Sequence, residues 1–229
     1  MKFTDLALGR LIKRYKRFLV DVELPGPEKV TAHCPNTGSM QGCLAPGNSV
    51  LLSLSGNQGR KYPYTLEMIQ VNGFWVGVNT ARTNHLVREA MENGVAKEFA
   101  GFDAIRPEVK VGAGRLDFLL HRGKEKIYVE VKNCTLVEDG TAMFPDAVTS
   151  RGTRHLEDLA RLRGEGHQAV IFFCVQRMDG DVFRPAAHID PLYAATLAKV
   201  AGEGVQVLAY RAEVGPDEIR ITTPLPVRY

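Results

Sequence analysis

The stretch that most constrains this chain is residues 114–132. Two runs rich in β-forming side chains, 114–120 and 127–132, flank a polar segment in which Gly123 supplies a turn. The pattern predicts two strands joined as a hairpin. Side chains along a strand alternate between its faces. Tyr128, Glu130 and Lys132 therefore share one face, and Ile127, Val129 and Val131 the other. A hairpin returns Asp117, near the start of the first strand, to a place across from Glu130. Two carboxylates and a lysine then converge at one end of a small sheet. The competing reading is a surface hairpin with a Glu and a Lys on its wet face, and spacing alone does not choose between the two.

Converging hard oxygens suit Mg²⁺, which takes one or two protein carboxylates and keeps its other positions for water and phosphate. Such a metal acidifies a bound water and neutralises charge on a phosphodiester, and a neighbouring lysine shares in that work. Asp117 followed by Glu130-x-Lys132 resembles the signature of the PD-(D/E)XK nucleases. The resemblance implies Asp117 and Glu130 as ligands of Mg (or Mn), with the Val131 carbonyl assisting. It implies Lys132 as the residue that orients or activates water. Leu116 stands where the signature has proline. Glu108-Val109-Lys110 offers a second Glu-x-Lys, but only Asp103 shortly precedes it, too close for two paired strands and a turn. Gly112-Ala113-Gly114 starts like a dinucleotide loop, yet lacks a third glycine and leads into a strand.

The rest of the chain can support such a site. Its 229 residues, 45% hydrophobic and 24% charged, suit one large globular domain or two small ones. No apolar run reaches membrane-spanning length, so no membrane partner is expected. The basic cluster Lys13, Arg14, Lys16 and Arg17 is followed by an apolar run broken at Asp21 and Glu23, which does not make a secretion signal. The four cysteines are scattered, with no C-x-x-C, and read as free thiols of a cytoplasmic protein. The net charge of +3 permits binding to nucleic acid.

Residues 1–80 read as all-β, with strands at 18–24, 29–34, 50–55, 64–71 and 74–78, the last two joined at Asn72-Gly73, a strong hairpin signal. Five short strands predict a small closed barrel of the OB type, a fold that often binds single-stranded nucleic acid. The basic cluster above, with Tyr15 and Phe18, is its candidate contact surface. The turn-rich stretch around His33, Pro35, Asn36 and Gly38 is a second candidate, with Asn36 as the residue to contact bases or anions.

The character of the chain changes at Asn79-Thr80. Thr80 is the expected N-cap of a helix with Leu86, Val87, Ala90 and Met91 facing in and Gly94 ending it. Strands follow near 103–111, 115–121 and 126–132. Asp146 is the expected cap of a helix over 147–163 whose inward residues are Val148, Leu156, Leu159 and Leu162. A buried strand at 169–176, a helix starting at Pro191 and strands at 205–212 and 218–222 complete the chain. Residues 81–229 thus form a second domain with the αβββαβ core of the PD-(D/E)XK fold, and the overall class is α+β / α/β. Glu89 is the candidate acid from the first helix, with Glu92 second. Arg151, Arg154 and His155 on the second helix are candidate phosphate contacts, Arg151 and His155 sharing a face.

Several motifs in order resemble the sugar fermentation stimulation protein family (SfsA). They include residues 16–20, 33–38, 130–136, 144–149, 151–156 and 189–191. The resemblance implies an OB-like N-terminal domain, a nuclease-like C-terminal domain, non-specific DNA binding and a regulatory link to sugar (maltose) metabolism. It leaves open whether DNA is cut. Three functions therefore stand side by side: a Mg²⁺-dependent deoxyribonuclease, a non-catalytic DNA-binding regulator, and a sugar-binding module. Trp75, the only tryptophan, is a thin basis for the last.

Overall fold

The computed structural model describes residues 1–229 except Gln58 and Ala113, so the middle residue of the 112–114 glycine turn lies outside the described residues. The N-terminal strands are β1 (Ala7–Tyr15), β2 (Leu19–Glu23), β3 (Lys29–His33), β4 (Ser49–Leu54), β5 (Tyr64–Val71) and β6 (Phe74–Gly77). β1 pairs with β2 and β4, β2 with β3, and β4 with β5. A parallel contact of His33 with Thr65 joins β3 to β5 and closes the ring. The result is a five-stranded OB-type barrel filled by Leu11, Val20, Val22, Leu52, Leu66 and Ile69.

The ring differs in membership from the sequence expectation. β1 belongs to it, although residues 7–15 carry no clear strand pattern, and β6 does not. β6 instead extends β5 across Asn72 and Gly73, whose φ of 51° and 86° are those of the expected tight hairpin. β1 is hard to read because Leu8 is exposed, Gly9 lacks a side chain, and a bulge between Leu11 and Lys13 shifts the alternation.

The second half opens with α1 (Thr80–Glu92) and a short 3-10 turn at Lys97–Phe99. Then come β7 (Ala104–Val111), β8 (Gly114–Arg122), β9 (Glu125–Cys134), β10 (Leu136–Glu138), β11 (Thr141–Phe144), α2 (Ser150–Gly164), β12 (Gln168–Val175), β13 (Val182–Pro185), α3 (Pro191–Gly202), β14 (Gln206–Val214) and β15 (Ile219–Pro224). Six strands form one mixed sheet in the order β15-β14-β12-β9-β8-β7, with β12 parallel to both neighbours. The run α1-β7-β8-β9-α2-β12 is the expected αβββαβ core. A small sheet of β10, β11 and β13 adds to this core; its strands of three or four residues are too short to show a period in sequence.

α1 lies on one face of the large sheet, where Leu86, Val87 and Met91 join Phe118, Val129 and Phe172. α2 and α3 cover the other face, where Leu156, Leu159 and Leu197 join Ile171 and Phe173. Each large apolar side chain so buried contributes about 1.5–3 kcal/mol. The caps differ from expectation. Asn79, not Thr80, caps α1 by accepting from the Ala81 amide at 3.1 Å. Thr149, not Asp146, caps α2 by accepting from the Gly152 amide at 3.0 Å. Asp146 is occupied elsewhere, accepting from the Met40 amide at 2.7 Å. α2 therefore starts at Ser150, and Val148 lies before it, 76% exposed rather than inward.

The N-terminal residues pack with the second half. The Met1 ammonium donates to the Ile219 carbonyl at 2.8 Å, and the Phe3 amide to that of Asp217 at 2.8 Å. Of the described residues, none belongs to a helix long and apolar enough to cross a membrane.

Candidate functional site

The site begins where two central strands part. The β8–β9 ladder runs from Arg122–Glu125 to Phe118–Val129 and stops. Asp117 takes over at that point: its Oδ2 accepts from the Val131 amide at 2.8 Å. Its Oδ1 accepts from Asn84 Nδ2, reaching down from α1, at 2.8 Å. The N–H and C=O of one strand residue point to the same edge. The Val131 carbonyl therefore also faces the parted side, beyond the last ladder pair. Burial pushes the Asp117 carboxyl up from its ordinary value and the Glu130 charge adds to this; the Val131 and Asn84 hydrogen bonds and Lys132 pull the other way.

Glu130 and Lys132 leave β9 on the same face, as the alternation requires. Glu130 is buried, and its Oε1 accepts from Lys132 Nζ at 2.6 Å and meets His155 Nδ1. Arg151 Nε lies 3.4 Å from His155 Nε2. His155 Nδ1 also lies 3.2 Å from Lys132 Nζ, so Glu130, Lys132 and His155 form one cluster; a proton on Nδ1 lets the ring donate to Glu130. Burial opposes ionisation of Glu130, yet the His155 hydrogen bond and the Lys132 charge outweigh it and hold the carboxyl below its ordinary value. Neighbouring carboxylates are thus pushed in opposite directions, a pattern that gives two like groups different roles.

The donor set fits a small divalent cation. Glu130 Oε2 is buried with no hydrogen-bond partner. Asp117 lines the same cleft, near enough for the Glu130 charge to act on it, and the Val131 carbonyl faces the parted side of β9. Among the described residues no three His, Cys, Asp or Glu side chains gather to hold a metal, so the protein would supply two carboxylates and a main-chain oxygen. That is the sparse set Mg²⁺ accepts, because it retains several waters.

These groups form the floor of a cleft of about 790 Å³ between the two halves. The barrel contributes one wall, from Arg17 and residues 36–39; α1, residues 144–149 and α2 contribute the rest. Lys16 and Arg17 hold left-handed backbone, with φ of 51° and 64°. Arg14 braces that turn: its guanidinium donates to the carbonyls of Arg17 (2.6 Å), Asn36 (2.8 Å), Gly38 (2.9 Å) and Ser39 (3.2 Å). Asn36 is buried and accepts from the Gly38 amide at 2.8 Å.

Of the residues singled out from sequence, Asp117, Glu130, Lys132, His155, Arg151, Arg17, Arg14 and Asn36 all line this cleft. Others do not. Glu89 binds the Met1 ammonium at 3.0 Å, and Glu92 pairs with Arg88 at 2.7 Å. Lys13 lies 3.9 Å from Asp21, and Lys16 and Arg154 are exposed outside the cleft. His155 touches Glu130 rather than open solvent, and Arg14 is engaged with backbone. Asn84 is the residue that sequence reasoning missed; looking along α1 for an acid passes over it.

An OB-type barrel joined to a PD-(D/E)XK-type sheet, with the cleft between them, places the chain among two-domain proteins of nuclease-like fold. Residues 12–78 match the model described as the SfsA N-terminal OB domain, and residues 81–218 that of the sugar fermentation stimulation protein RE domain. The chain belongs to the sugar fermentation stimulation protein family. A homolog from Pelobacter propionicus is 53% identical over 228 residues, covering 99% of each chain. One from Geobacter sulfurreducens is 53% identical over 220 residues, covering 96% of this chain and 94% of its own. Among solved structures, SfsA of Pyrococcus furiosus in complex with Ca²⁺ superposes with a TM-score of 0.92 at 27% identity, covering 100% of this chain and 98% of that one.

Proposed function

We propose that this protein binds DNA non-specifically and that its cleft is a Mg²⁺- or Mn²⁺-dependent phosphodiesterase site. The observation that carries this is the buried, unpartnered Oε2 of Glu130 beside Asp117, with Lys132 at 2.6 Å from the other oxygen. The Ca²⁺ complex of the Pyrococcus relative supports a divalent cation. A bound metal would supply an acidified water and charge neutralisation. The chain's own residues do the rest. Asp117 is oriented by Asn84 and the Val131 amide. Glu130 is fixed by His155. The Lys132 ammonium can direct a water and offset developing negative charge. Arg17 and Arg151, on opposite walls, can hold phosphates, contacts that carry no sequence information.

On this reading the tie to sugar fermentation in the family name acts through DNA. The sugar-binding alternative loses support because Trp75 sits on β6, outside the ring, packed against the core of the second half. The four cysteines, all buried and free, fit a reducing cytoplasm.

The test is cleavage of labelled single- and double-stranded DNA with Mg²⁺, Mn²⁺ or EDTA. Cutting should require metal and fall by about 10²–10³-fold in Lys132→Ala, the range for losing one charge-stabilising donor. Asp117→Ala should lose it as well. Equal cutting in EDTA, or tight binding without cutting by the wild type, would leave a DNA-binding regulator instead.

A further inference from the structure

The two walls of the cleft are locked to each other. The Met40 amide of the barrel donates to Asp146 Oδ2 at 2.7 Å, joining the barrel loop to the loop before α2 at one end. Thr80 Oγ1 donates to the Pro35 carbonyl at 3.2 Å, and the Gly77 amide to the Gln176 carbonyl at 2.9 Å. Behind the cleft, buried Glu67 on β5 accepts from Asn79 at 2.8 Å and from Arg82 at 3.2 Å. Leu51 and Met68 of the barrel share a buried cluster with α1 and the large sheet. Opening the walls would strand buried polar groups and expose that cluster, so the cleft is a slot of fixed width. Its roughly 790 Å³ falls in the range of small-ligand pockets. That is room for a few nucleotides of one strand.

The lining agrees with this size. Arg14 is consumed by carbonyls, which leaves Arg17 and Arg151 as the exposed cations of the slot. Neutral hydrogen-bonding side chains, such as Thr37, Ser39, Asn84 and Asn133, cover the walls. One exposed apolar group, Val148, lines the slot at 76% exposure. A duplex hides its base faces in the stack. An unpaired strand offers base faces to apolar side chains and base edges to neutral donors and acceptors.

We propose that the slot accepts a single unpaired DNA strand, gripped at phosphates by Arg17 and Arg151, with Val148 against a base. Duplexes then serve as substrates only through unpaired arms or gaps. This rests on the nuclease reading for cleavage, while strand selection by binding stands without it.

The experiment separates the two. Binding is read by fluorescence anisotropy in EDTA and in Ca²⁺, using one labelled oligonucleotide as a single strand, as a blunt duplex, as a duplex with an unpaired arm, and as RNA of the same sequence. Cleavage of the same set is read with Mg²⁺. Single-stranded DNA should bind at least about tenfold more tightly than blunt duplex. Arg17→Ala and Arg151→Ala should each weaken single-strand binding by about tenfold, the scale of one lost phosphate contact. Thermal unfolding of both variants guards against a folding defect. Cuts should fall within the unpaired arm. Equal binding and cutting of blunt duplex would overturn the proposal and leave the nuclease intact. Tighter binding of RNA would overturn the choice of DNA. Absence of cutting on every substrate would overturn the nuclease, and the binding preference would still decide the strand.

Discussion

At the scale of single residues, Asp117 and Glu130 lie next to each other, yet burial dominates one and partners dominate the other. Asp117 is held above its ordinary pKa, so its ionisation weakens the folded state as pH rises past that range. Asp117→Asn removes that penalty. The new amide can accept from Val131 and donate to a flipped Asn84 side chain, so no hydrogen bond need be lost. The variant should melt higher than wild type in metal-free buffer at neutral pH, by about 2–4 °C for each kcal/mol relieved, while losing metal-dependent activity. Differential scanning fluorimetry with and without Mg²⁺ checks both. Glu130 has the opposite sign. Its pKa is depressed, so its pairing stabilises the fold above the ordinary value of 4.5 and is lost as pH falls. His155→Ala leaves a buried acceptor short of a partner, at a cost of about 1–3 kcal/mol. It should also shift acid unfolding to higher pH, seen in urea midpoints measured below and above pH 4.5. His155 was legible as a helix-face neighbour of Arg151. That its ring points at Glu130 was not, although its spacing of four and seven from Leu159 and Leu162 places it on the buried stripe.

At the scale of elements, sequence patterns found most strands and all three helices but misjudged where some of them begin. β1 shows why. Its partner β2 passes so close to Gly9 that a Cβ there would lie 2.4 Å from Val22 Cγ1 and 3.0 Å from the Glu23 carbonyl. A glycine at such a crossing lowers strand propensity while being required by the packing. Gly9→Ala should therefore destabilise the protein by about 1–3 kcal/mol, the usual result of forcing atoms into a filled core, read as a lower urea midpoint. Val22→Ala in the same chain should recover part of that loss. α2 makes the complementary point. Asp146 and Thr149 are both good capping residues, and local sequence does not rank them. The ranking comes from Met40, a residue of the barrel, which takes Asp146 for its own amide. The three-residue shift leaves Val148 at the edge of the cleft.

At the scale of the molecule, the two halves form one body. Leu51, Met68, Phe3 and Trp75 from the N-terminal half all pack into the cluster beneath α1. Calorimetry should show one cooperative transition rather than two. Gly77→Ala tests the junction directly, since a Cβ there would lie 2.2 Å from Gln176 Oε1 and 3.2 Å from its Cβ. It should lower the melting temperature and, by moving the barrel wall, weaken DNA binding. Sequence by itself determined the β-rich first half, the αβββαβ order of the second, and the face shared by Glu130 and Lys132, because periods of two and 3.6 are local properties. Only the tertiary structure decided that Asn84 rather than Glu89 serves Asp117, that His155 serves Glu130, and that Arg14 braces loops. Those choices join residues 33, 25 and 22 positions apart, and no local period specifies which distant polar group a side chain will meet.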